Sequence, residues 1–359
     1  TVTDTPITAA SVDMDAINNA EVDTLTIAGS ASVSNSSTAF GGAGSGSGNY
    51  IDATTIASIS NPSGVQVVNA AGGAVSVNAL DNAKINADAG AGALAVSTAS
   101  SGNNAGAVAI GAAMAVNHIT KTTTAEVHAA TVTSAAFTTE ALSTSEIDAF
   151  TFAVSGSLSS GSGTLALSGA GSGSGNEVTS SVLASVRQSS ITATGPVTIN
   201  AAEAGRIDAT TGSLGIALNV GSGTGAKVGV GLGIAVTLND VTASAIAESE
   251  DTSINAGTQD VSITADNTAS IDSTAFGVSL SVSTSQSGAS VGVSANVAVS
   301  LNDINLETRA LVTDTAGGDS DSVLAGDLTV SATDSGNITA DATSVGLAVS
   351  SSSSSVSVS

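Results

Sequence analysis

The feature that most constrains this chain is an internal repeat. An apolar–any–apolar–any–Ala run is followed by an Ile ten residues after its first apolar position. It reads Val75, Val77, Ala79, Ile85; then Val197, Ile199, Ala201, Ile207; then Val261, Ile263, Ala265, Ile271; then Leu328, Val330, Ala332, Ile338. Phe137, Ala141 and Ile147 form a weaker copy, and Ile7 and Ile17 the weakest. A second frame follows each first one. Asn49, Asn117, Asn176, Asn239 and Asn302 each precede an Ile or Val by two positions and an Ala by eight. The anchors divide one continuous array, 1–359, into units 7–74, 75–136, 137–196, 197–260, 261–327 and a partial 328–359. A unit of this kind cannot bury its own apolar face, so its copies must stack.

The local period says what stacks. Val228-Gly-Val-Gly-Leu-Gly-Ile-Ala-Val236 alternates strictly, which is a strand pattern. Val, Ile and Thr favour strands, and the strong helix formers Glu, Lys, Arg and Met are scarce. A mean hydropathy of +0.36 opposes disorder despite the Ser and Gly content. With one Tyr, five Phe and no Trp, the core must be thin and built from Ala, Val, Ile and Leu. The expected fold is all-β, an elongated tandem-repeat parallel β-solenoid. Stacked antiparallel hairpins or small β-sandwiches are the alternative, since a long strand, a Gly-rich turn and a second long strand also describe a hairpin. Coils of about 20 residues would make each unit about three coils and advance it about 14 Å. At that spacing the recurrent Asn residues cannot form an amide ladder, which needs one Asn per coil.

Charge narrows the partners. The formal net charge is −24, with six Lys plus Arg against 30 Asp plus Glu, so nucleic acid is excluded as a partner and anionic membrane surfaces are disfavoured. No run of 18 apolar residues occurs, so no transmembrane segment is expected. There is no Cys, hence no disulfide or thiolate metal site. The chain does not begin with Met and its sixth unit stops at Ser359, in mid-unit. A longer polypeptide is the expectation, with head-to-tail polymerisation as its rival.

Aligned units expose columns. One residue after the recurrent Ile stand Asn18, Asn86, Asp148, Asp208, Asp272 and Thr339, a row with calcium-like oxygen chemistry. A 14 Å separation would prevent one ion from bridging two of them, so a solvated polar face is preferred. The densest acidic cluster surrounds Gly317-Gly-Asp-Ser-Asp-Ser322; Asp314, Asp319, Asp321 and Asp327 are the weak calcium candidates, and no other cofactor is expected. His118 and His128 lack an evident third ligand for zinc. No Gly-x-Ser-x-Gly elbow with a plausible His and acid stands out, and the Gly-rich runs lack the following helix and Lys of a phosphate loop. The chain is expected not to be an enzyme. A polysaccharide-acting solenoid would gather carboxylates and basic groups in one groove, whereas here the acids are dispersed.

The stretch AVSVNALDNAKINADAGAGALAVSTASSGNNAGAVAIGAAMAVNHI, residues 74–119, resembles repeats of giant bacterial surface proteins of the filamentous-adhesin or haemagglutinin-like type. That resemblance covers most of the chain. It implies export to the cell surface and an extended β-helical stalk or filament with an adhesive or matrix role. Its implied partners are further copies, head-to-tail or lateral, and cell-surface glycans or matrix components. It carries no catalytic residues.

Overall fold

Alternating side chains and in-register repeats fix the architecture. In the computed structural model, which describes residues 1–61, 66–100, 102–315 and 321–359, each unit supplies long strands to two facing sheets. The strands are β1 (Val2–Thr3), β2 (Ile7–Thr8), β3 (Val12–Ser34), β4 (Thr38–Ser60), β5 (Gln66–Thr98), β6 (Ala105–His128), β7 (Ala130–Ser160), β8 (Thr164–Arg187) and β9 (Ser190–Ala193). They continue with β10 (Val197–Gly221), β11 (Lys227–Glu250), β12 (Ser253–Asn255), β13 (Val261–Ser285), β14 (Ala289–Thr313), β15 (Val323–Leu324), β16 (Leu328–Ser351) and β17 (Ser354–Val358). One sheet runs β1-β4-β6-β8-β11-β14-β17; the other stacks β3, β5, β7, β10, β13 and β16, with the short strands forming a narrow arm beside them. Every pairing among the described residues is parallel, so this is a parallel β-solenoid and not a stack of hairpins.

One unit is one coil, not three. Val75, Phe137, Val197, Val261 and Leu328 are direct neighbours on successive strands. Each unit therefore advances the stack by one strand spacing of about 4.8 Å, in place of the expected 14 Å. The reason is that the span from the first anchor to the Gly-rich turn is a single strand: Val197–Gly221 runs unbroken for 25 residues. The first unit also shifts. Val12, Met14, Ala16 and Val22 stand in the anchor columns, while Ile7 pairs with Val68 and Ile17 faces solvent. A strand of 25 residues extends about 80 Å, whereas six coils rise only about 25–30 Å.

The core follows the parity of the strands. Inward Val, Ile, Phe and Ala side chains form two large clusters, one around Val77, Phe137, Ile199 and Ile263, the other around Ile85, Ile147, Ile207 and Ile271, with two smaller ones of Ala beyond them. In the second half of each of these strands the inward residues become Ala, Ser and Gly, such as Ser155, Ala217 and Gly277. There the sheets close until backbones meet. A Cβ on Gly111 would lie 2.5 Å from the Val154 carbonyl oxygen, and one on Gly41 would lie 2.5 Å from that of Leu94. Only glycine admits that approach.

Candidate functional site

Because every coil contributes one rung, the recurrent asparagines do stack. Asn49 donates from Nδ2 to Oδ1 of Asn117 at 2.8 Å, Asn117 to Asn176 at 2.8 Å, Asn176 to Asn239 at 2.8 Å and Asn239 to Asn302 at 2.7 Å. Asn49, Asn117, Asn176 and Asn239 are buried. The amide ladder set aside on the 14 Å spacing is thus present, since its requirement of one Asn per coil is met.

A second inward column is polar and separates the two apolar clusters. It consists of Asn18, Asp81, Ser143, Glu203, Asn267 and Asp334. Lys121, from the facing sheet, enters it. Lys121 Nζ donates to the backbone oxygens of Asp81 at 3.0 Å and Thr144 at 2.6 Å and lies 3.6 Å from Asp81 Oδ1. Asp81 also accepts from Thr55 Oγ1 at 2.6 Å and from Asn18 Nδ2 at 3.3 Å. Glu203 accepts from Ser180 Oγ at 2.8 Å. Burial pushes the Lys121 ammonium below its ordinary value and the Glu203 carboxyl above its own. Sequence reading passed over this column, although Asp81, Glu203 and Asn267 share the inward parity of the Ala two residues before them.

Glu203 makes stability depend on pH. Below the ordinary carboxyl value both folded and unfolded chains are protonated there. As pH rises through that value the unfolded chain ionises first, and stability falls until the folded carboxyl ionises too. Glu203→Gln is therefore expected to gain about 1–3 kcal/mol at pH 8 and to match the parent near pH 4. Native-state hydrogen exchange of the Ile207 and Ile271 amides at the two pH values reads this difference.

On the outer face the Asn/Asp column carries ions of its own chain. Asp23, not Asn18, is its first member, followed by Asn86, Asp148, Asp208, Asp272 and Thr339 at adjacent rungs. The spacing argument against a bridging ion no longer applies. Lys84 and Arg206 fill the role instead. Lys84 Nζ lies 3.3 Å from Glu146 and 3.2 Å from Asp148; Arg206 lies 2.9 Å from both Glu146 and Asp208. Asp148 and Glu146 hold the Lys84 ammonium above its ordinary value. Burial raises the Asp208 carboxyl, with Arg206 opposing.

The calcium candidates divide. Asp314 and Asp321 come together with Asp251 of the preceding rung, their oxygens within 4.8 Å of one another. Asp319 lies outside the described residues, and Asp327 is not part of the group; its backbone oxygen accepts from Val261. Asp251 itself accepts from Thr315 Oγ1 at 2.8 Å. It escapes sequence reading because it sits in a turn one rung away, a full unit from Asp314. A trio of carboxylates at this separation suits a hard cation with oxygen bonds of about 2.4 Å. His118 and His128 stand ten residues apart on β6, about 33 Å. His118 stacks on Tyr50 and faces Glu177 at 3.1 Å, while His128 meets Gln188 at 3.2 Å. Compared with family models, curated proteins and solved structures, the chain matches none.

Proposed function

We propose that this chain is a structural segment of an exported bacterial surface protein, serving as a stalk, surface fibre or filament with an adhesive or matrix role. The observation that carries this reading is the in-register stack. Columns such as Val197–Val261–Leu328 and the Asn ladder repeat with the strand spacing, and a parallel stack can be extended by any chain that presents the same edge. The buried Lys121 and Asp81 support the same reading, because their bonds go to neighbouring side chains and to backbone. The similarity of its repeats to filamentous adhesins adds the cell-surface setting and the glycan or matrix partners. Calcium, where such a segment uses it, belongs at Asp251, Asp314 and Asp321. Electron microscopy of the purified protein tests the proposal. Ribbons or fibres that lengthen with concentration are expected; monodisperse single particles at every concentration would overturn it.

A further inference from the structure

Charged residues are segregated within every coil. Segments 24–51, 89–120, 149–176, 273–302 and 342–359 contain no Asp, Glu, Lys or Arg, and 209–239 contains Lys227 alone. Each full segment comprises the second half of one long strand, the following turn and the first half of the next strand in the facing sheet. Among the described residues, one end of the solenoid therefore carries all the acidic side chains and the other carries none. Lys227 is buried in its turn, donating to the carbonyl oxygens of Gly223 and Gly225 at 3.2 and 3.0 Å.

In the uncharged end the outward positions are apolar on both sheets. Phe40, Val108, Leu167, Val230 and Val293 share one outer column. Val33, Val96, Leu158, Leu218, Val282 and Val349 share another on the opposite face. Ile27 is 76% exposed, Phe40 70% and Leu301 59%. The inward positions are small, a mixture of Ala, Gly and Ser, with Ser155 and Ser168 bonded at 2.6 Å. Large apolar groups outside and small ones inside is the reverse of a sandwich built for water and is the arrangement of strands whose outer face meets lipid. Strand halves of roughly 11 residues on six rungs give about 1,000 Å² per face. Two such faces exceed several-fold the roughly 300–600 Å² of the largest apolar patch on an ordinary monomer.

We propose that this uncharged end lies in the hydrocarbon core of a lipid bilayer while the acidic end stays in water. Roughly 11 residues span about 36 Å, enough to cross a core of about 30 Å. Both faces need cover: a second copy in a closed pair would cover one, and lipid covers both. Four of the six Phe and Tyr residues mark the boundary. Tyr50 stacks on His118 with ring centroids 5.1 Å apart, and Phe152 packs on Phe150 at 6.4 Å and on Phe276 at 5.9 Å, all where the charged segments begin. Aromatic girdles occupy that level in membrane strands. The turns at the far tip are built of Ser, Gly, Asn, Thr, Ala and Gln, and Lys227 beside them has its ammonium taken up by backbone carbonyls. No helix among the described residues is long and apolar enough to cross a membrane; the strands supply the apolar surface instead. Rung-to-rung hydrogen bonds satisfy the backbone within the stack, and the end strands pair with neighbouring copies so that no open edge meets lipid. The inference rests on the end-to-end pairing of the fibre reading: fibres that do not float with vesicles would overturn it alone, and single particles that neither assemble nor float would overturn both.

The test is flotation of the full chain with neutral phosphatidylcholine vesicles in a density gradient. Co-flotation that survives 1 M NaCl is expected. Ile216→Glu combined with Ile234→Glu, one on each outer face, should lower the floating fraction at least tenfold, while Thr198→Glu at the acidic end should leave it unchanged. Intrinsic fluorescence gives a reading that needs no variant. Tyr50 is the only Tyr and there is no Trp, so vesicles should reduce acrylamide quenching of its emission severalfold. Protein that stays at the bottom, double-variant protein that floats like the parent, or quenching indifferent to vesicles would overturn the proposal. So would vesicle-independent association abolished by the same two substitutions, which would assign the faces to a second copy.

Discussion

Lys121→Met should lower local stability by about 3–5 kcal/mol, the usual cost of removing one member of a buried ion pair. Lys121 and Asp81 are both fully enclosed, and the Lys ammonium also satisfies two backbone oxygens. Methionine fills the volume but donates nothing. Asp81 would keep its bonds from Thr55 and Asn18 but lose its counter-charge. The double substitution Lys121→Met with Asp81→Asn should recover most of the loss, because it removes the unpaired charge as well as its partner. In a stack the effect stays near its rung, so hydrogen exchange of the Ile85, Ile119 and Ile147 amides is the suitable measurement. A loss below about 1 kcal/mol in the single variant would show that water reaches Asp81 and that the seam is not dry.

Asn176→Ala should cost about 2–5 kcal/mol. It strips Asn117 Nδ2 of its acceptor and Asn239 Oδ1 of its donor, and each buried orphan costs roughly 1–3 kcal/mol. Asn302→Ala is the internal comparison. It removes one rung at the edge of the ladder, and the donor it frees, Asn239 Nδ2, still reaches Ser273 Oγ at 3.0 Å. Its cost should be less than half as large. Equal losses in urea titrations of the two variants would mean that the ladder contributes as separate pairs and not as a chain of amides.

The repeat, the strand period and the parallel solenoid were legible in the sequence because each is a statement about spacing. The number of coils per unit was not. It depends on whether a strand survives the polar and small residues between the Ala and Ile anchors, such as Glu203-Ala-Gly205, and in-register neighbours above and below carry it across them. That one number governs the contacts between units. With one coil per unit the Asn residues stack, Asp148, Asp208 and Asp272 are adjacent, and Asp251 meets Asp314, none of which the spacing within a unit reveals. The two-faced uncharged end was hidden differently. Large apolar residues alternating with Gly and Ala, as in Val228 to Val236, do not form the long run that signals a helix in a membrane. Only the parity of each position, fixed by the facing sheet, shows that Val and Leu point outward there.

The single-coil unit also sets how such an array would behave under load. Drawn out from one end, the stack yields one coil at a time, and each released coil of roughly 63 residues adds about 200–220 Å of contour. Folded, that same coil contributes about 4.8 Å of height. The ratio, about fortyfold, makes each rung a reserve of slack. A tether assembled from these coils would dissipate a pull by successive release, keeping the remaining rungs intact.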